Sequence, residues 1–407
     1  MAPKTSMFHI ATFNLHKKKT LPIKRNEKME ETIEKLKISP LFNLSLSSKE
    51  LFHSNFLYWI GHTYPSEFGN EFSKYLNEKS EDIRISGIFR ERENIDLSFN
   101  YSNGQEVLIE NKVKSVPHIG QLAKYSEKHT NSKNYILLSL SEPLFFQSKK
   151  KLDINGATWS YLSYSDLQVM LQSISERISN EYHKQIIIDY CEFICGLVKI
   201  NEHCKIDEEE LFDFHSIKTN ELYRNLINIR LHDFYLKKKY EVLAFEIYKK
   251  LNERGKNLTD FSLPLNWDNK TPIIFIGYGM TRSLGLMDLK YLISPNIALG
   301  IQIQGEHYRM VVEDTNGTIA KEIKEELENK ENNLWFDFSK TFPNAKVYPK
   351  PAKGFNKYGE TFFYKSVKLG TKLKIKDIVN TVLSDVKRIE SNIEKIKTII
   401  TKVNKRS

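Results

Sequence analysis

Several things are scarce in this chain of 407 residues, and each scarcity closes off a class of protein. Three cysteines (Cys191, Cys195, Cys204) cannot build a disulfide framework and suit a reducing compartment. No run approaches the roughly 18 consecutive apolar residues that a membrane-spanning helix needs. The opening Met1-Ala2-Pro3-Lys4-Thr5-Ser6-Met7 lacks the apolar segment of a secretion signal, so a soluble, cytoplasmic protein is expected. There is no internal repeat and no linker rich in Gly, Ser or Pro. Gly277-Tyr278-Gly279 and Gly300 lack phosphate-loop spacing, and no serine sits in a nucleophile elbow. Cys191 and Cys195, with His203 and Cys204 beyond, match no standard zinc spacing, so buried thiols are expected.

What is present is globular. Apolar residues at 40% and charged residues at 28% exclude a largely disordered chain, and the length suits two or three domains. The 61 basic and 51 acidic residues give +10, and residues 365–407 hold twelve Lys/Arg against four Asp/Glu. Most of the excess therefore sits in the tail, with further runs at Lys17–Lys19, Lys149–Lys151 and Lys237–Lys239. A polyanionic partner fits this balance, and so does a solvated, lysine-rich surface.

Residues 1–46 read as an N-terminal arm with one short helix near Lys28 to Lys37. A helix then starts near Ser47, whose pairing with Glu50 fits a capping box, and Phe52, Phe56, Trp59 and Ile60 recur at helical spacing. A second short helix spans Glu67 to Asn77. From 82 to 113 the period changes to two, giving strands around Ile83–Phe89, Ile95–Phe99 and Glu106–Val113, with the turn signal Ser102-Asn103-Gly104 between the last two. Pro117 opens a helix through His129, Asn134–Leu140 is a buried strand, and Ser165 starts a helix to about Ile178. Beyond 181 the chain looks helical over 183–198 and 207–253. Strands return at Ile273–Tyr278, Ile297–Ile303 and His307–Val312. The end is a long amphipathic helix carrying Ile375, Ile378, Val382, Val386, Ile389, Ile393, Ile396, Ile400 and Val403. Its heptad-like steps suit packing on its own domain, or a homodimer through 375–403.

The chemistry concentrates in Asn94-Ile95-Asp96 and Glu110-Asn111-Lys112. A three-residue turn with Gly104 left-handed pairs Tyr101 with Gln105, sets Asp96 opposite Glu110, and stacks Leu97 on Ile109 and Phe99 on Val107; a two-residue loop would throw Asp96 to the other face. Two carboxylates this close repel, and a divalent cation relieves the repulsion; hard oxygen ligands favour Mg²⁺ or Mn²⁺ over zinc. Such a metal acidifies bound water and neutralises charge on a phosphate. Lys112 then orients the water, or accepts its proton where burial depresses its own pKa. The plain alternative is an exposed hairpin with a cross-strand ion pair. Val107-Leu108-Ile109, running apolar into the triplet, argues for burial instead.

Asp96, Glu110-Asn111-Lys112, Gln121 on the next helix and the stretch Glu50-Leu51-Phe52-His53-Ser54-Asn55-Phe56-Leu57 resemble the PD-(D/E)XK nuclease superfamily, in a branch found in bacterial and phage proteins. The resemblance spans about 47–178, with Ile95 in place of the proline of the name. It implies an α/β fold, a restriction-endonuclease-like αβββαβ core with a central mixed sheet over 47–180; the changed texture beyond it reads as a mostly helical α+β domain over 181–407. It implies metal held by Asp96, Glu110 and the Asn111 carbonyl, with Glu50 a further candidate, a catalytic Lys112, and Gln121 touching a phosphate or orienting the lysine. Tyr125, one turn on, is a weaker candidate. The expected activity is Mg²⁺-dependent hydrolysis of nucleic acid, DNA ahead of RNA, with Mn²⁺ substituting and a role in antiviral defence suggested by the family's company. The alternatives are a silent nucleic-acid-binding scaffold and a nuclease held off by its C-terminal half. His53 and Ser54 are weighed as substrate contacts, and Glu91 and Glu93 as alternative acids that Arg90 and Arg92 would neutralise.

Overall fold

The computed structural model describes residues 22–404 except 47–48, 77–83, 118, 131, 133, 147–148, 213–220, 257, 260–273, 282–283, 295, 315–320, 329–333, 340–341, 343–346, 349–354 and 371–372. Helices α1 (Pro22–Ile38), α2 (Pro40–Ser45), α3 (Lys49–Thr63) and α4 (Pro65–Leu76) come first. A meander follows of β1 (Ile85–Arg92), β2 (Ile95–Tyr101) and β3 (Glu106–Lys112), then α5 (Ile119–Lys128), β4 (Asn134–Ser139), the hairpin β5 (Lys151–Ile154) and β6 (Ala157–Ser163), α6 (Tyr164–Glu176) and α7 (Glu181–His203). The six strands form one mixed sheet in the order β1-β2-β3-β4-β6-β5, with β3, β4 and β6 parallel. The α/β core expected from the sequence is therefore present, with the β5–β6 hairpin added.

One face of the sheet is covered by α3, α4, α6 and α7, where Phe56, Ile60, Phe68 and Phe72 meet Leu97, Phe99 and Ile109; the other face lies against α5 through Leu122 and Ala123. Phe56 stacks on Tyr190 of α7, with ring centres 3.8 Å apart. Within the expected arm, Met29, Ile33 and Leu36 of α1 are buried in the same core as α7. Helix α5 starts two residues later than the proline suggested. The capping box of α6 is Ser163 with Asp166, not Ser165: Asp166 N–H donates to Ser163 Oγ at 3.0 Å. Ser47, the cap expected for α3, lies outside the described residues.

The second half is built on a larger sheet. Helices α8 (Glu221–Asn228) and α9 (His232–Glu253) lead to β7 (Leu258–Thr259), β8 (Ile274–Thr281), β9 (Leu284–Leu292), β10 (Ile297–Gln304) and β11 (His307–Asp314). Then come α10 (Lys321–Glu328), β12 (Val347–Tyr348), β13 (Asn356–Tyr358), β14 (Phe362–Lys368) and α11 (Ile375–Asn404). Eight strands join, in the order β12-β14-β11-β10-β9-β8-β7 with β13 on β14. The stretch 207–212 is not helical as expected, and β9 and β14 extend the three strands read from the sequence. The apolar stripe of α11 is buried within this chain, Ile378, Val382, Val386, Ile389 and Ile396 joining the core of the second sheet. Of the two readings of this stripe, packing on its own domain and a homodimer seam, the first is the one found. The two cores change over within α9: Phe234 and Tyr235 belong to the first, Tyr240 and Leu243 to the second. Among the described residues no helix is long and apolar enough to cross a membrane.

Candidate active site

The hairpin of β2 and β3 closes through the three-residue turn. Tyr101 N–H donates to Gln105 O and Gly104 N–H to Tyr101 O, both at 2.9 Å, with Gly104 at φ +84°. The ladder runs from Asn100↔Glu106 to Leu97↔Ile109, the register the apolar pairs required. Continuing it sets Asp96 level with Glu110. Beyond Leu97 the main-chain rungs stop, and Asn111 N–H is satisfied by Asp96 Oδ2 at 2.8 Å. That bond aims the Asp96 carboxylate along the end of β3.

Glu110 is 1% exposed, at a strand centre flanked by β2 and β4. Its Oε1 lies 2.5 Å from Lys112 Nζ and accepts from Gln121 Nε2 at 2.7 Å. Its Oε2 is buried with no donor in reach. Burial pushes the Glu110 carboxyl up to about 8, the Asp96 charge adding to the rise and Lys112 opposing it. Asp96 is also raised, chiefly by burial, against the Asn111 N–H and Lys112. For Lys112, burial lowers the pKa, but the charges of Glu110, Glu50 and Asp96 outweigh it and the net shift is upward. The lysine is thus held as an ammonium, the state suited to orienting a water rather than accepting its proton.

An orphaned, buried carboxylate oxygen beside a second carboxylate is what a hard divalent cation satisfies, so the residues fit Mg²⁺ or Mn²⁺. Among the described residues no three His, Cys, Asp or Glu side chains converge as a ligand set. A metal here would take Asp96, Glu110, main-chain oxygen and water. Glu50, on the first turn of α3, sits near enough for its charge to reach Asp96, Glu110 and Lys112, but its Oε1 accepts from Ser115 N–H at 3.0 Å. Gln121 also donates to Tyr125 Oη at 2.9 Å, and Tyr125 donates on to Asn94 O at 2.9 Å, which joins the helix to the β1–β2 turn.

The Asn111 side chain faces the opposite way, as alternation requires, and pins α3 to the sheet. Its Nδ2 donates to Glu50 O and Ser54 Oγ, both at 3.2 Å, and its Oδ1 accepts from Tyr164 Oη at 2.7 Å. Ser54 is therefore spent in the core. His53 is wholly buried, with Nδ1 2.7 Å from Tyr190 Oη, and neither residue reaches the carboxylates. Glu91 and Glu93 are exposed at φ +51° and +56°; Glu93 meets Lys128 at 3.6 Å, so neither joins Asp96. Arg90 and Arg92 form no ion pair with them among the described residues. Cys191 is buried, its thiol pushed up to about 12 by burial, and among the described residues no metal-ligand cluster forms with Cys195 or Cys204.

Lys237 escaped the sequence reading as a site residue. Lys114 pairs with Asp233 on the first turn of α9 at 2.7 Å, and Lys237 stands one turn beyond Asp233 on the same face. Its ammonium senses Glu50, Lys114 and Lys112, and burial lowers its pKa, opposed by Asp233 and Glu50. The only sequence signal was the run Lys237–Lys239, whose other members point inward: Lys238 Nζ donates to Asn201 Oδ1 at 2.7 Å and Lys239 Nζ to Leu211 O at 3.1 Å.

Residues 41–192 match a family model of the PD-(D/E)XK nuclease superfamily, a span that contains Glu50, Asp96, the Glu110–Lys112 triplet and Gln121. Comparison with curated proteins and with solved structures gives no match. The hairpin, its buried carboxylates and the mixed sheet that presents them lie inside the matched span, so it is this segment of the chain that is similar to the PD-(D/E)XK nuclease superfamily.

Proposed function

We propose that the chain is a metal-dependent nuclease that hydrolyses phosphodiester bonds in nucleic acid, DNA ahead of RNA, at the Asp96–Glu110–Lys112 cluster. The observation that carries this reading is the Glu110 carboxylate: buried, pressed against Asp96 and Lys112, with one oxygen left without a donor. A neutral scaffold gains nothing from such an arrangement, since an unpaired buried oxygen costs about 1–3 kcal/mol.

Asp96, Glu110 and the Asn111 carbonyl are the residues that would hold Mg²⁺, with Mn²⁺ able to substitute. The bound cation would supply an acidified water and neutralise charge on the phosphate. Lys112, held as an ammonium, presents its N–H groups to the attacking water or to a phosphate oxygen and stabilises the negative charge that grows there. Gln121 holds Glu110 Oε1 in place. Lys237 adds positive charge from α9, beside the Lys114–Asp233 pair, suited to the phosphates flanking the cut. Attack in line by water breaks the bond from phosphorus to the 3′ oxygen and leaves a 5′ phosphate. The Lys114–Asp233 pair, and the Tyr278 Oη donor to Pro117 O at 3.2 Å, tie the loop between Lys112 and Gln121 to the second half, which favours regulation of cleavage from that half.

The test is incubation of the full chain with supercoiled plasmid, linear duplex, single-stranded DNA and RNA, each in Mg²⁺, Mn²⁺ and EDTA, with end-labelling of products. Metal-dependent cutting that leaves 5′ phosphates is expected. Products with 3′ phosphates, or cutting unaffected by EDTA, would overturn the assignment.

A further inference from the structure

Strand β1 is an edge of the six-stranded sheet, and its last residues form one wall of an open groove of about 410 Å³ whose other wall is α3. That volume falls in the range of about 300–1,000 Å³ usual for small-ligand sites. Leu51, Asn55 and Tyr58 line it from the helix, and Phe89, Arg90 and Arg92 from the strand. The guanidinium carbon of Arg90 lies 4.6 Å from the centre of the Tyr58 ring, and Arg90 Nη1 donates to Asn55 Oδ1. Arg92 lies 5.0 Å from the centre of the Phe89 ring, a ring that is 39% exposed. Two guanidiniums are thus held on two aromatic rings. Glu91, between them in the chain, also lines the groove; it is exposed and pairs with neither arginine among the described residues.

The groove lies on the α3 face of the sheet, beside the strand that carries Asp96, while the carboxylates of Asp96 and Glu110 point to the α5 face. In the β1–β2 ladder Arg90 stands opposite Leu97 and Arg92 opposite Ile95, the two neighbours of Asp96, one strand spacing of about 5 Å away. Arginines without carboxylate partners seek phosphates, and their planes together with exposed rings stack bases; the combination reads a strand whose bases are unpaired. A duplex keeps its bases inside and offers such a groove only phosphates.

We infer that the groove between α3 and the end of β1 is a subsite for an unpaired nucleotide of the strand being cut, Arg90 and Arg92 holding its flanking phosphates and the Tyr58 and Phe89 platforms its base. The assignment rests on the nuclease reading and narrows its substrate to nucleic acid that is single-stranded at that position.

The experiment is fluorescence anisotropy of the full chain in EDTA, titrated into a fluorescein-labelled 12-nucleotide single-stranded DNA, the matching RNA and a 12-base-pair duplex, over a salt series. Wild type is compared with Arg90→Ala/Arg92→Ala, Arg90→Lys/Arg92→Lys and Phe89→Ala, each checked for unchanged thermal unfolding. At least one single strand is expected to bind about tenfold or more tighter than duplex. The double alanine variant should reduce the slope of log K against log salt by about 1.4, for two lost phosphate contacts. The double lysine variant should keep that slope yet lose affinity, because an ammonium has no plane to stack. Duplex binding equal to single-strand binding, or an unchanged slope in the double alanine variant, would overturn the subsite. Cleavage by the same proteins in Mg²⁺ separates the two claims: cutting that ignores the arginines sinks the subsite alone, whereas arginine-dependent binding with no cutting sinks the nuclease alone.

Discussion

Glu241 lies on α9, where the chain passes from one core to the other, and is only 3% exposed. It accepts from Leu144 N–H at 3.1 Å, across the junction to the loop after β4. Burial raises its carboxyl from 4.5 to about 7, against the pull of that N–H, Lys238 and Tyr278. A carboxyl raised in the folded state keeps its proton there while the unfolded chain releases it. Its stabilisation is therefore full below about pH 4.5 and is lost as pH rises through about 7. Between pH 5 and pH 8 the shift corresponds to about 2–3 kcal/mol of lost stability. Glu241→Gln keeps a carbonyl for Leu144 N–H but cannot ionise. Urea unfolding followed by tryptophan fluorescence, for both proteins at both pH values, isolates the effect, because every other titrating group cancels in the difference. The glutamine variant should gain about 2–3 kcal/mol over wild type on going from pH 5 to pH 8. A difference that is flat with pH, or that moves the other way, would refute the reasoning.

Two further perturbations test the packing around the sites. Asn111→Leu strips the acceptor from buried Tyr164 Oη and the donor from Ser54 Oγ, and should cost about 3 kcal/mol by urea midpoint, part of it recovered when Tyr164→Phe is added; full stability in the single variant would contradict the role given to Asn111. Gly285→Ala would set a Cβ 2.0 Å from Tyr240 Cε2, in a ring whose hydroxyl donates to Gly305 O at 3.2 Å. A loss of at least about 2 kcal/mol is expected, and a neutral result would mean that α9 does not lie this close to β9.

The carboxylate pair and lysine were legible because one hairpin carries all three, and its register follows from the Ser102-Asn103-Gly104 turn and from which residues must be apolar. Gln121 was legible because it comes on the very next helix. Lys114 and Lys237 were not, since a pair such as Lys114–Asp233 joins residues over a hundred positions apart and no local period announces it. The β5–β6 hairpin did carry a signal: Asn155 and Gly156 both take positive φ in a two-residue turn, the pattern that pair of residues favours. Strand β9 was obscured by Asp288 and Lys290 on one face, charges that stay inside because Lys290 reaches Glu313 at 2.7 Å and Asp288 at 3.5 Å. In α11 the period of three and four was read correctly, but period alone cannot tell a partner helix from the chain's own sheet.

The central claim is that Asp96, Glu110 and Lys112 act together on a phosphodiester. It is tested most directly by single-turnover cleavage in Mg²⁺ of the best substrate, comparing wild type, Glu110→Ala, Lys112→Met and the exposed control Glu360→Ala. Loss of at least about a thousandfold in the first two variants, with the control unchanged, is the predicted result. Cutting at the wild-type rate by a folded Glu110→Ala protein would contradict the account.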